Sequence, residues 1–393
     1  MTVVVVASAV RTPIGKYLGG LSTLSAPALG EVAVRGALEA AGVAAAEVGS
    51  LFFGHGRQAG SGPNPARQVA HRAGLPDESP SATINQACAS GMKCLQLAAD
   101  EVVLGRNRVV VAGGMESMST LPFILDRMRT GYRLGHAPVV DLMYKDGFNC
   151  PISDMIMGET AELLAQERGI SRRQQDEFAL ASQHKAGAAV AAGRFRDEIV
   201  PVTVPGRKGD AVIDADEHLR ADATLEQLGR LPAVFDREKG TVTAGNSSGI
   251  TDGAAAMVVM SADEAERRGI QPLAVLTDAH VTGTDPKRMG LGPVPATRAL
   301  LERTGLTLDD FDLVELNEAF AAQVLACLQE LPIEPERLNV NGGSIALGHP
   351  IGCTGARFIV TLLHEMKRRG SQRGLATLCV SGGLGMSAAF ERP

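Results

Sequence analysis

The chain has no tryptophan and only 4% aromatic residues, and nowhere does it gather a block of basic residues. Without such a block nothing can track a phosphate backbone, so nucleic acid is excluded as a partner. The apolar run that opens the chain, in MTVVVVASAVRTP, lacks a positive leader and is far shorter than the ~20 residues a membrane helix needs. It reads as a buried strand of a cytoplasmic protein with no membrane association. Cysteines are few for this length: Cys88, Cys94, Cys150, Cys327, Cys353 and Cys379, with no CxxC pair among them. That spacing argues against a zinc site or a disulfide framework and for free thiols in a reducing compartment.

What is present is aliphatic and glycine-rich. The 393 residues are 45% hydrophobic, include 45 glycines and carry a formal charge of −6. This is enough chain for two core-forming domains. Short β-branched runs (VVVVAS, RVVVAGG, AAAMVVM, DLVELN, LATLCV) alternate with alanine-rich helical stretches. Apolar runs of this length suit strands buried on both faces, hence an α/β fold with helices covering the sheets. The ends of the chain echo one another. A helix headed by Cys88, with Met92, Leu95, Ala99 and Val102 along one face, leads into VVVAGGMESMS, and GCTGARFIVTLLHEMKRRG leads into TLCVSGGLGMS. The expected architecture is a duplicated core of two mixed-sheet α/β halves, 1–117 plus 250–271 and 272–393. A loop domain, 118–249, richer in charge and turn residues, is inserted between them.

Four stretches contain residues able to carry chemistry. In NQACASGMKC, Cys88 falls at the expected first turn of a helix, where free N–H groups and the helix dipole favour a thiolate. Free cysteine is also among the most buried and inert residue types, the reading that suits Cys94. His349 lies between Gly348 and Pro350, before a helix with Phe358, Ile359, Leu362 and Met366 on its inner face, and is either a base aimed at a thiol or a turn histidine facing water. Cys379 ends a buried strand ahead of a glycine turn whose N–H groups suit an oxyanion hole. Asn317 ends a strand as a helix begins, where simple capping is the alternative.

Taken in order, NQACASG, NEAF, GHPIG and the final cysteine with its glycine turn resemble the thiolase family. RTPIGK, NPARQ, GGMESMS, TAGNSSG and PKRMGLGP extend the likeness over nearly the whole chain. The resemblance implies a thiolase-like fold in which Cys88 is the nucleophile that takes an acyl group from coenzyme A. His349 is its base, and Cys379 exchanges the α-proton of the second thioester. Asn317 holds a water that completes one oxyanion hole with His349, and the N–H groups of Cys88 and Ser381 form the other. The inserted domain binds coenzyme A, with Arg220 and Ser248 as contacts, while Met157, Met289 and Phe320 line the acyl pocket. Two positions depart from the family pattern: Ser381 replaces the first glycine of the turn, and Ile156 replaces a histidine of the short-chain branch.

The activity implied is the acetyl-CoA acetyltransferase reaction, reversible Claisen condensation of two acetyl-CoA molecules. The alternatives are a degradative 3-ketoacyl-CoA thiolase of broader chain length in fatty-acid metabolism and a catalytically silent coenzyme A-binding scaffold. A homotetramer is implied, with acyl-CoA and coenzyme A as substrate and product. No metal or other cofactor is called for, since every chemical role has a protein candidate.

Overall fold

Every residue of Val4–Arg11 (β1) is buried, because this strand lies in the middle of a sheet covered on both faces. The computed structural model describes residues 2–393. Four further strands complete the first half: Ser50–His55 (β2), Ser81–Ile84 (β3), Val109–Ser117 (β4) and Thr251–Ser261 (β5). The second half is built from Ala274–Gly283 (β6), Leu313–Leu316 (β7), Arg373–Val380 (β8) and Leu384–Glu391 (β9).

The sheet runs β7-β8-β9-β6-β1-β5-β4-β2-β3, with Gly15–Lys16 added beside β5. Outward from its centre, the first half reads β1, antiparallel β5, antiparallel β4, then parallel β2 and β3. The second half repeats that order as β6, antiparallel β9, antiparallel β8 and parallel β7. The halves meet through a short antiparallel pairing of β1 with β6, Val5 opposite Val275 and Val6 opposite Ala274. The duplication expected from the paired helix-strand-glycine pattern is therefore a duplication of strand order and direction.

Alternation along the strands sorts side chains into layers. On β4, Val109 and Val111 face the helix Ala26–Ala41 (α1), whereas Val110 and Ala112 face the helix Ser90–Val103 (α2). The helices Met157–Glu167 (α3) and Arg172–Ala191 (α4) belong to the segment between β4 and β5, together with three two-stranded hairpins. Pro293–Thr304 (α5) packs on β6 and β9.

The last helix, Ile351–Arg369 (α6), fills the space between the halves, touching α2 and strands of both. Fifteen of its 19 residues are buried, so it has no solvent face, unlike the one-sided helix expected from Phe358, Ile359, Leu362 and Met366. Its approach to α2 relies on glycine. A Cβ on Gly355 would lie 2.7 Å from Met92 N, and one on Gly91 would lie 2.7 Å from Ala356 N. Backbone contact at this range brings the N-terminal turns of the two duplicated helices side by side. No helix among the described residues is long and apolar enough to cross a membrane.

Candidate active site

Cys88 sits on a 3-10 turn, Ala87–Ala89, just ahead of α2 and not within its first α-helical turn. The turn is set by Ala87, whose φ of 44° is left-handed, a conformation costing an L-residue roughly 1–2 kcal/mol. Side chains hold it there: Asn85 Oδ1 accepts from Ala87 N–H at 3.0 Å, and Ser90 Oγ accepts from Gln86 N–H at 2.9 Å while donating to Ala87 O at 2.6 Å. The result is a buried sulfur reached by its own N–H and by that of Ser381. Burial raises the thiol above its ordinary value, opposed by the nearby Arg57 cation and by these two N–H groups. Cys94 on the same helix is fully buried among apolar side chains, its thiol pushed far up by desolvation, and it is inert.

His349 is buried in the turn before α6, its N–H bonded to Gly249 O at 3.1 Å. Its Nδ1 lies 2.6 Å from Thr354 Oγ1, which also lies 2.9 Å from Pro350 O. One hydroxyl carries one proton. When that proton goes to Pro350 O, Nδ1 must donate, and the lone pair is left on Nε2. Burial, reinforced by the positive charges of Arg357 and Arg57, brings the imidazole down to about 3, so the ring is neutral.

Cys379 lies near the C-terminal end of β8 and is almost fully buried. Desolvation raises its thiol well above the ordinary value, and the proximity of Cys88 adds to that rise. The following turn explains why serine is accepted at one position and glycine is kept at the next two. Ser381 is not among the residues with positive φ, whereas Gly382 and Gly383 have φ of 87° and 84°. A Cβ on Gly383 would lie 2.4 Å from Thr284 O.

Asn317 follows β7 and caps no helix. Its Oδ1 accepts from Ser344 Oγ at 2.6 Å, and Arg357 Nη2 donates to that same Oγ at 2.9 Å. A guanidinium can only donate, which leaves the serine proton free for Asn317 Oδ1. This leaves Asn317 Nδ2 as a buried donor with no protein partner. A buried donor without a protein partner is where a water or substrate oxygen is held.

Met157, Met289 and Phe320 come together with Cys150, Ala319 and Cys379 in one apolar cluster. Ile156 caps α3 through its backbone, N–H to Glu159 Oε2 at 2.7 Å, in a role that needs no histidine. Ser248 donates its N–H to Ala319 O at 3.0 Å, beside that cluster. Arg220 stands apart, exposed, with its N–H bonded to Gln183. Two residues earlier His218 stacks so closely on Gly249 that a Cβ there would lie 2.4 Å from the ring, and burial lowers this imidazole to about 4.

Sequence reasoning missed Thr354, Ser344, Arg57 and Glu116. Glu116 stands in GGMESMS and Ser344 in NGGSIALGHP, both within stretches that had been singled out, but their partners are distant in the chain. Glu116 accepts from Gly56, Arg57 and Gly352 N–H at 3.0, 3.1 and 2.8 Å, tying β2 to the start of α6.

The chain resembles known proteins end to end. Residues 4–263 match the model of the thiolase N-terminal domain, and residues 270–392 match that of the thiolase C-terminal domain. An acetyl-CoA acetyltransferase of Cupriavidus necator is 51% identical over 393 residues, covering 100% of both chains. That of Escherichia coli is 49% identical over 389 residues, 99% of this chain and 98% of its own. Among solved structures, the Bacillus anthracis acetyl-CoA acetyltransferase aligns with a TM-score of 0.98 at 45% identity, covering 100% of this chain and 99% of the other. Human mitochondrial 3-ketoacyl-CoA thiolase in complex with CoA aligns at 0.95 and 40% identity, covering 100% and 98%. With both domain models matched and half of its residues shared with full-length relatives, this chain belongs to the thiolase family.

Proposed function

We propose that this protein is an acetyl-CoA acetyltransferase, joining two acetyl-CoA molecules into acetoacetyl-CoA and free coenzyme A, and reversing that reaction. The observation that carries the reading is the meeting of two thiols, Cys88 and Cys379, with the N–H groups of Cys88 and Ser381 around the first. One thiol stores an acyl group while the other handles a carbon-bound proton, the division of labour that carbon-carbon bond formation between two thioesters demands.

In the synthetic direction the Cys88 thiolate attacks the carbonyl of acetyl-CoA, the coenzyme A thiolate leaves, and acetyl-Cys88 remains. The carbonyl oxygen develops negative charge against the N–H groups of Cys88 and Ser381. The departing coenzyme A thiolate recovers the proton that His349 took from Cys88, and the neutral imidazole then takes the proton of the Cys379 thiol. The Cys379 thiolate removes a proton from the methyl carbon of a second acetyl-CoA, whose thioester oxygen is met by a water held on Asn317 Nδ2 and by the N–H now on His349, a proton that returns to the Cys88 thiolate when that is expelled. The carbanion attacks acetyl-Cys88, expelling the Cys88 thiolate and releasing acetoacetyl-CoA. His349, neutral and with Nε2 free, takes the proton of the Cys88 thiol, or of coenzyme A in the cleavage direction.

The segment 118–249 serves as the coenzyme A-binding domain in this reading, with Ser248 and Arg220 as contacts; the apolar cluster of Met157, Met289 and Phe320 holds the acyl group. The exposed apolar side chains of Phe123, Leu125, Met128 and Leu134 support assembly into a homotetramer, expected to work in the cytoplasm. A second reading, a 3-ketoacyl-CoA thiolase of broader chain length in fatty-acid degradation, is favoured by Ile156. An apolar side chain there extends the acyl pocket without a polar group to satisfy.

The test is thiolysis of acetoacetyl-, 3-ketohexanoyl- and 3-ketodecanoyl-CoA by free coenzyme A, with wild type and Cys88→Ala. Cleavage confined to acetoacetyl-CoA and lost in the variant is expected. Comparable cleavage of the longer chains would move the protein to the second reading, and turnover surviving in Cys88→Ala would overturn both.

A further inference from the structure

Arg357 lies in the second turn of α6 and is 1% exposed. Its guanidinium makes a single hydrogen bond among the described residues, from Nη2 to Ser344 Oγ at 2.9 Å, while Nε and Nη1 have no partner. The charges that face it from further off are Glu315, Glu198 and Arg11. An arginine cannot shed its proton to escape burial, so a lasting positive charge is directed at one serine hydroxyl. A buried cation without a hydrogen-bonded carboxylate is costly, and this one stands directly behind the amide of Asn317.

The hydroxyl that receives this charge has a fixed place. Ser344 is fully buried, and the residues on either side of it are tied down: Gly343 N–H donates to Ser182 Oγ at 3.0 Å and Ile345 N–H to Glu318 Oε2 at 3.1 Å. Ser182 Oγ donates to the same Oε2 at 2.7 Å, and Asn339 Nδ2 to Glu318 Oε1 at 2.8 Å. Glu318 follows Asn317, whose own N–H is bonded to Thr377 O of β8 at 3.0 Å. One carboxylate thus sets the residue after Asn317 against the residue after Ser344. The 2.6 Å bond from Ser344 Oγ to Asn317 Oδ1 therefore joins two anchored backbones.

We propose that Arg357 and Ser344 are positioning residues for the carbon-carbon bond-forming step: they hold the Asn317 amide with Nδ2 toward the oxyanion water and strengthen it as a donor. This rests on Asn317 binding that water, as in the reading above. With Nη2 on one lone pair of Ser344 Oγ, Oδ1 is the acceptor within reach of the serine proton, and Nδ2 is the half of the amide left without a protein partner. The donors then run in one direction: guanidinium to hydroxyl, hydroxyl to amide oxygen, amide N–H to water, water to the thioester oxygen. Each donor in such a chain polarises the next, and a charged donor at its head is the strongest. Negative charge grows on that thioester oxygen only as the α-carbon becomes a carbanion, so the chain serves this step and not the loading of Cys88. The oxyanion formed at Cys88 has separate donors, the N–H groups of Cys88 and Ser381.

The test compares acetoacetyl-CoA thiolysis with exchange of labelled coenzyme A into acetyl-CoA, which needs only the first transfer. It uses wild type, Ser344→Ala, Asn317→Ala and the double variant. Ser344→Ala is expected to lower kcat for thiolysis roughly 10- to 100-fold, with KM and the exchange rate within about threefold of wild type. Added to Asn317→Ala, the same substitution is expected to cost less than about a further twofold, because the chain is already cut. Where Ser344→Ala leaves too little folded enzyme, Ser344→Ala/Arg357→Met removes the stranded charge together with the hydroxyl and carries the same comparison. An undiminished loss when Ser344→Ala is added to Asn317→Ala overturns the inference. So does a fall in exchange that matches the fall in thiolysis. Thiolysis left intact in Asn317→Ala defeats the underlying reading instead, so the two failures are distinguishable.

Discussion

Thr354 holds His349: its hydroxyl meets Nδ1 at 2.6 Å from the first turn of α6, with Pro350 O as the hydroxyl's other partner. A threonine that bonds back to the carbonyl four residues earlier ordinarily only bends a helix. Here, with the hydroxyl proton on Pro350 O, Thr354 accepts from Nδ1 and the lone pair is on Nε2. Thr354→Val keeps the shape and removes the oxygen. Turnover in acetoacetyl-CoA thiolysis is expected to fall roughly 10- to 100-fold, as for loss of a partner that orients a catalytic imidazole, with KM little changed. Equal losses in kcat and in thermal stability would point to a packing defect instead.

The neutral state of His349 shapes two pH profiles. Its folded value, about 3, lies below the ordinary 6.5, so between those limits the unfolded chain binds a proton that the native chain refuses. Stability from this group is complete above 6.5 and is lost as pH falls toward 3; His218, lowered to about 4, acts in the same direction. His349→Gln cannot titrate and is expected to flatten the fall of melting temperature over that window. For activity, the group that gates the acid side is the Cys88 thiol, raised by its burial. The rate of thiolysis should climb from neutral to alkaline pH with no inflection near 6.5. An inflection there in wild type, absent from His349→Gln, would show that the ring titrates freely.

The turn after Cys379 separates two neighbouring positions. Ser381 uses only its N–H and has no positive φ, so Ser381→Gly should leave turnover within about twofold. Gly383, at φ 84° and 2.4 Å from Thr284 O once a Cβ is added, cannot accept even alanine without moving the turn. Gly383→Ala is expected to lower both melting temperature and turnover, because the shift displaces the N–H of Ser381 from Cys88. A fully active, stable Gly383→Ala enzyme would mean that the turn does not fix that N–H.

Much of this was legible in the chain because it is local. Buried strands such as VVVASAVR declare themselves as unbroken apolar runs, and Cys88, His349, Cys379 and Asn317 each stand in a stretch whose glycines and strand ends mark it. The strands missed, Ser50–His55, Ser81–Ile84, Ala274–Gly283 and Leu384–Glu391, are shorter or mixed with polar residues, and their place is decided by neighbours far along the chain. The same distance hid the supporting residues. Glu116 and Gly352 are bonded across 236 positions, and nothing near Arg357 signals that its guanidinium reaches the amide of Asn317 through Ser344.

Cys379 offers the sharpest separation of the two halves of the reaction. Its thiol is held high by burial and by the neighbouring Cys88, so it rests protonated, suited to donate to a departing carbanion. To act in synthesis it must lose that proton, and nothing in the first acyl transfer requires it to do so. Cys379→Ala should therefore still acquire an acetyl group on Cys88 and exchange labelled coenzyme A with acetyl-CoA at a rate within about tenfold of wild type. Condensation and thiolysis, which both need the α-proton to move, should fall by roughly 10²- to 10⁴-fold. Loss of exchange in step with condensation, in a variant that still melts cooperatively near the wild-type temperature, would assign Cys379 to the first transfer as well and undo the division of labour between the two thiols.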